Sequence, residues 1–452
     1  MTSTVSAPSR PAGILARRYR SVTIGLIGVE TVVAFEYLAA ATAMPTVVRD
    51  LHGVALYGWA FGGTLAAAMV CTVVSGIWTD AAGPRKPLWT GLVLLTLGLL
   101  GAGTAPTMPV LIAGRVVQGF GGGLIMVALY VIVAQVYPSA LKPRVFAALA
   151  TAWVVPAIVG PAIAGAIVTF AGWEWVFLSA ALLVIPLGAL MHRSSANSQA
   201  PTRVDRPSAA RTIAWAVLAA VSIAALQMAG QLEASGIVFA AAAVAGLVLA
   251  LPRLLPRGTF RAARGVPTVT ALRGLTAAAF VAVDVFMPLL LARERGLPPV
   301  PLGLAISVAA VAWPVGSWWQ SRSWVTWDRA RLIRYGAAAM AIGTTVVATL
   351  TIDTVPLAAG LAGWVLFGLG MGMIYPALPA QALDLSAEHE QGRNSSALQL
   401  ADSTANMASV TLAGALFAVL LPLGGAAFLA CFGLSLVLCV LAVSCAGRIV
   451  PS

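Results

Sequence analysis

Apolar residues run along this chain in long stretches separated by short polar gaps. The runs occupy about 22–44, 56–78, 88–105, 108–136, 145–170 and 174–191, then 212–230 and 235–252, then 270–292, 300–320, 332–351, 355–382, 394–421 and 423–447. One helix of about 20 apolar residues crosses the hydrocarbon of a bilayer. The pattern therefore predicts an all-α polytopic membrane protein with fourteen transmembrane helices.

The gaps divide the runs unequally. HRSSANSQAPTRVDRPSAAR at 192–211 has the Ser, Pro and Arg content of a flexible linker. It predicts a tail at 1–21, a six-helix bundle at 22–191, the linker at 192–211, a two-helix hairpin at 212–252, a second linker at 253–269, another six-helix bundle at 270–447 and a tail at 448–452. The run at 22–44 is too long and too acidic for a cleaved signal peptide and reads as a retained first span.

Composition agrees: 60% of residues are hydrophobic and 9% charged, and the mean hydropathy is +0.93. A water-soluble fold is excluded. The net charge of +12 would suggest an acidic partner in a soluble protein, but placement of the charges gives another reason. With the N-terminus inside, 22 of the 27 basic residues fall in inner segments and three, Arg49, Arg293 and Arg295, in outer ones. That asymmetry puts both termini in the cytoplasm and leaves no call for nucleic acid. An Arg to Lys ratio of 25 to 2 points to a bacterial source, hence to the inner (plasma) membrane. Cys71, Cys431, Cys439 and Cys445 lie in apolar runs without metal-ligand spacing, and His52, His192 and His389 are isolated, so no metal site is expected.

The two six-run blocks resemble each other, as in transporters built from repeats. MPTVVRDLHG at 44–53 parallels MPLLLARERG at 287–296, GRVVQGFGGG at 114–123 parallels GWVLFGLGMG at 363–372, and the segment 76–80 parallels 316–320. The hairpin has no counterpart and looks inserted.

Six charges sit inside the spans or at their mouths: Glu30, Glu36, Asp80, Arg115, Asp284 and Asp402. A charge at the bilayer centre costs about 2.5–3.5 kcal/mol on the insertion scale, so such residues usually face a cavity and work; the alternative is a structural ion pair between helices. Desolvation favours a neutral carboxyl and an adjacent guanidinium an ionised one, so a movable carboxyl near Arg115 makes a proton switch. Glu36, Glu30 and Asp284 are the candidate carboxyls. Gln399, Asp402 and Asn406 share one helix face, lining a cavity or bonding to a neighbouring helix. Trp59, Phe61, Phe120, Trp153, Trp313, Trp364 and Tyr375 line a pocket for lipophilic cations or pack and anchor. Arg273, near an end of its span, is read as snorkelling to the interface and has no expected function.

Between the second and third runs stands Gly76-Ile-Trp-Thr-Asp80-Ala-Ala-Gly83-Pro84-Arg85-Lys86. Gly76 allows close helix approach, Asp80 can cap a neighbouring helix N-terminus and Gly83 makes the turn. This loop resembles the signature of the major facilitator superfamily, with Ala81 where an Arg is usual. Leu111, Arg115, Gln118 and Gly119 resemble the family's fourth-span proton-transfer motif, and Pro156, Gly160, Pro161 and Gly165 the fifth-span motif of its exporters. FEYLAAATAMP, ending at Pro45, resembles the first-span exporter motif, with Glu36 in its acidic place. The resemblance, closest to the fourteen-helix drug:proton antiporters, implies an inner gate at Gly76, Asp80, Gly83, Arg85 and Lys86. It also implies proton-coupled export by alternating access.

The expected protein is thus a monomeric antiporter of lipophilic, cationic small molecules. Its partners are the substrate, protons and membrane lipid, and its energy comes from the proton gradient with no cofactor. Export of an endogenous lipid or secondary metabolite, or uncoupled carriage, is the alternative. A membrane enzyme finds no support, since the chain has no nucleotide-binding loop or catalytic constellation.

Overall fold

The computed structural model describes residues 13–53, 56–192, 206–229, 236–297, 299–322 and 327–450. Most of the expected tail at 1–21, most of the linker at 192–211 and the tip of the hairpin, at 230–235, lie outside the described residues. The remainder is helical. In chain order come α1 (Arg20–Asp50), α2 (Tyr57–Ala82), α3 (Arg85–Gly103), α4 (Met108–Val136), α5 (Lys142–Phe170), α6 (Glu174–His192), α7 (Arg206–Ala229) and α8 (Gly236–Leu254). They are followed by α9 (Val266–Arg293), α10 (Pro299–Gln320), α11 (Arg329–Ala348), α12 (Leu357–Ile374), α13 (Ala377–Asp384), α14 (Gln391–Leu420) and α15 (Gly425–Cys445).

Ten of the described segments are long and apolar enough to cross a membrane, with α12 and α13 together as one. α5 makes an eleventh if its two parts, which meet at 48°, are one span. The run at 355–382 divides because Pro376 offers no N–H to the preceding turn. α8 contributes only the shorter apolar stretch Val238–Leu254.

Buried side chains form three apolar clusters. One lies among α1 to α6, around Leu26, Met44, Leu99, Val133 and Phe177. A second lies among α9 to α15, around Leu272, Met340, Phe367, Phe428 and Phe432. The third joins α7 and α8 to Met69 and Val73 of α2 and to Ala397 and Leu400 of α14, so the hairpin sits across the seam between the two larger units.

Glycine spacing sets the tightest packing. A Cβ on Gly98 would stand 2.7 Å from Gly114 O, and one on Gly121 2.7 Å from Gly91 O, which brings the α3 and α4 backbones together. The second unit repeats this: a Cβ on Gly343 would lie 2.6 Å from Gly363 O and one on Gly370 2.4 Å from Gly336 O, between α11 and α12. Likewise Ser75 donates to Leu124 O at 2.8 Å and Ser317 to Gly372 O at 3.0 Å, tying α2 to α4 and α10 to α12. In lipid no hydrophobic force drives helices together, so small residues and such bonds carry their association.

Candidate functional site

Arg115 is 1% exposed, and its guanidinium is held from three sides. It forms an ion pair with Glu36 of α1, which is itself 5% exposed. Nη1 also donates to Gln118 Oε1 one turn along α4 (3.1 Å), and Nε donates to Ala60 O of α2 (3.2 Å). The Phe177 ring of α6 lies 6.0 Å from the guanidinium carbon. A charge this deep is tolerable because the opposite charge and fixed dipoles replace its water.

A second polar group lies between the two units and repeats across them. Trp153 Nε1 of α5 donates to Glu30 Oε1 of α1 at 2.7 Å. In the other unit Arg273 Nε of α9 pairs with Asp402 Oδ1 of α14 at 2.8 Å. Glu30 and Arg273 each lie fourteen residues before the repeated Met44 and Met287, and Trp153 and Asp402 each eleven residues after the first residue of α5 and α14. The guanidinium of Arg273 also lies 3.4 Å from the centroid of the Tyr375 ring and donates to Tyr375 O at 3.2 Å. Asn406 Nδ2 is 3.4 Å from Asp402 Oδ2. The snorkelling expected of Arg273 is therefore corrected. Only 1% of the residue is exposed, because Asp402 and Tyr375 offer it a better-satisfied position than the interface.

A third group closes one rim, the end of the molecule rich in Arg and Lys. Asp80 of α2 accepts from Gly392 N at 2.6 Å and Arg393 N at 2.8 Å, capping the start of α14. A Cβ on Gly392 would come within 2.4 Å of Gly76 O, so both glycines permit the approach. Gly83 turns the chain at φ +77°. Lys142 Nζ bonds Asp384 Oδ1 at 2.9 Å, Arg329 bonds the other oxygen at 2.7 Å, and Arg144 Nε donates to Ser321 O at 3.1 Å. Among the described residues Arg85 and Lys86 form no ion pair, and no hydrogen bond or ion pair joins the two units at the opposite rim.

The other expected residues are scattered. Asp284 is partly buried and has no hydrogen bond or ion pair among the described residues, and the same is true of Gln399. Two residues expected at the substrate cavity lie elsewhere. Trp364 is 1% exposed and stacks 5.4 Å from Phe367 in the core of the second unit. Trp59 lines an apolar groove of about 430 Å³ between α2, α4 and the α7–α8 hairpin, together with Phe120 and Phe239. Pro156 and Gly160 are buried, and the segment from Gly160 to Pro161 falls at the bend of α5, where proline breaks the backbone ladder. Gly165 has open space around it. Sequence reasoning missed Lys142 and Asp384 as a link between the units. It also left Trp153 as one aromatic among several, although an indole N–H seeks an acceptor wherever it is buried.

The profile of the Major Facilitator Superfamily matches residues 26–410. A probable multidrug-efflux transporter of Mycobacterium tuberculosis is 27% identical over 411 residues, covering 86% of this chain and 85% of its own length. The multidrug efflux pump SdrM of Staphylococcus aureus is 24% identical over 300 residues, or 64% of this chain and 66% of its own length. Among solved structures, a bacterial homologue of the iron transporter ferroportin in an outward-facing state superposes with a TM-score of 0.70 at 14% identity. It covers 96% of this chain and 99% of its own, a likeness of fold alone. The chain belongs to the major facilitator superfamily, as a multi-pass membrane transporter and not an enzyme.

Proposed function

We propose that this transporter is a proton-coupled antiporter that exports lipophilic cations across a bacterial plasma membrane by alternating access. It has fourteen spans, an inserted hairpin and cytoplasmic termini. The observation that carries this reading is the buried Glu36–Arg115 pair. The two form an ion pair only while the carboxyl carries its charge, so a proton taken up by Glu36 parts them. A rocking motion that moves α1 against α4 thereby couples shape to protonation. Arg115, fixed by Gln118 and the Ala60 carbonyl, is the stationary partner.

Export of cations is supported by the other carboxyls. Glu30 is held by an uncharged indole N–H, and Asp284 faces no cation among the described residues. A positively charged guest meets an acceptor at Glu30, with the Trp153 ring beside it. The efflux assigned to both bacterial relatives agrees in direction. With the basic rim in the cytoplasm, the structure is closed inside, and the Asp80 and Lys142–Asp384 contacts are its inner gate. One proton supplies about 1.4 kcal/mol per pH unit and about 2.3 kcal/mol per 100 mV, enough for concentrative export.

The test uses everted vesicles energised to acidify their lumen, with a dye that reports ΔpH. Adding tetraphenylphosphonium should dissipate part of the gradient in vesicles with the wild-type chain and leave it intact with Glu36→Gln. Cation movement that ignores ΔpH would identify an uncoupled carrier instead.

A further inference from the structure

The basic rim is closed by two latches that the internal repeat relates but that differ in charge. In the first, Asp80 at the end of α2 caps the start of α14 through Gly392 N and Arg393 N. The alignment of 76–80 with 316–320 puts Gln320, the last residue of α10, in the place of Asp80. Beside it α5 begins with Lys142, Pro143 and Arg144, where α14 begins with Gln391, Gly392 and Arg393.

This second latch lacks its anion. The N-terminus of α5 has no side-chain cap, and its proline has no N–H to offer. Gln320 is 8% exposed, yet its Nε2 has no hydrogen-bond partner among the described residues. It lines a pocket of about 270 Å³ with Pro143, Arg144, Arg322, Trp327 and Arg329. The neighbouring carboxylate, Asp384, is engaged by Lys142 and Arg329, and Asp328 is turned to Arg331. The pocket thus brings together three guanidinium groups, of which Arg144 also bonds Ser321 O and Arg329 also bonds Gln381 Oε1 and Asp384, an amide whose Nε2 has no partner among the described residues, and a helix N-terminus.

We infer that this pocket binds a phosphate group, carried by an anionic lipid headgroup or free in solution, which supplies to the second latch the charge that Asp80 supplies to the first. Guanidinium groups match phosphate oxygens with paired donors, and a helix N-terminus adds favourable potential. Trp327 has the amphipathic ring that settles at headgroup depth. Because the walls come from both units, the ligand favours the state in which they are joined, as any ligand does that binds one state better. Which ion drives transport has no bearing on it.

Spin labels at Leu15 and Arg331, both exposed on the basic rim, read the closed-to-open ratio with the native cysteines replaced by Ser. The purified chain is compared in maltoside detergent, which carries no phosphate, in the same detergent with phosphatidylglycerol, and in the same detergent with inorganic phosphate. Occupancy should raise the ratio about tenfold, the worth of one favourable helix-terminus charge. A response to phosphatidylglycerol alone assigns the phosphate to lipid, and a response to inorganic phosphate assigns it to the solvent as well. Gln320→Asp should hold the rim closed in detergent alone and abolish the response, and Arg144→Gln should abolish it with the rim more open. One ratio in all three conditions overturns the inference, as does a wild-type response from both variants.

Discussion

Inside a membrane, a guanidinium and a carboxylate are each tolerable chiefly as partners, which makes their separate removal informative. Arg115→Ala strands Glu36 and should cost about 3–5 kcal/mol, the usual penalty for breaking a buried pair. Adding Glu36→Gln should restore most of that loss while leaving transport dead. Thermal unfolding of the single and double variants in detergent measures the difference, and equal destabilisation in both would show that the pair does not hold as drawn. Arg115→Lys should fall well below wild type in ΔpH-driven transport, because one ammonium cannot reach Glu36, Gln118 and the Ala60 carbonyl in the same fixed geometry. These two residues were legible as candidates because charges in apolar runs are costly enough to stand out. The roles of Trp153 at Glu30 and of Tyr375 at Arg273 were not: in sequence the two differ in no way from aromatic residues that pack or anchor. Arg273 was misread because its distance from a span end suggested an exit, while the carboxylate that retains it lies far along the chain in α14.

Helix pairs are held by glycines whose importance depends on which face they occupy. Gly121→Ala sets a methyl group 2.4 Å from Leu95 N, whereas Gly122, the next residue, has open space around it. The first substitution should lower the yield of monodisperse protein sharply and the second should be tolerated, as scored by size-exclusion profiles. Gly370→Ala, in the repeated position, should behave like Gly121→Ala. Equal tolerance at all three positions would contradict the packing. The helices themselves were readable from run length, and the observed ones begin and end within a few residues of most expected runs. Two features escaped that reading. The break after α12 depends on Pro376, which hydropathy averaging conceals, and the pairing of α3 with α4 through glycines seven residues apart was visible for only one helix of each pair.

At the scale of the molecule, two halves meet at one rim, and the charge at that rim governs which shape prevails. Asp80→Asn keeps the shape of the cap but loses its charge, a difference of about 0.3–2 kcal/mol at a helix terminus. The closed population should fall by a factor between less than two and about thirty. The Leu15–Arg331 label distance reads this, and an unchanged distribution would remove Asp80 from the gate. The overall fold was legible because repeats and charge asymmetry are written along the whole chain. The joining of the halves depends on contacts such as Lys142 with Asp384, between residues that no local pattern links.

The central claim is that substrate and proton exchange through Glu36. Proton release from purified, detergent-solubilised protein on addition of tetraphenylphosphonium, followed in weak buffer with a pH dye, tests it most directly. Wild type should release protons on binding, Glu30→Gln should bind more weakly but still release a proton for each cation bound, and Glu36→Gln should bind the cation and release none. Undiminished release from Glu36→Gln would contradict the account.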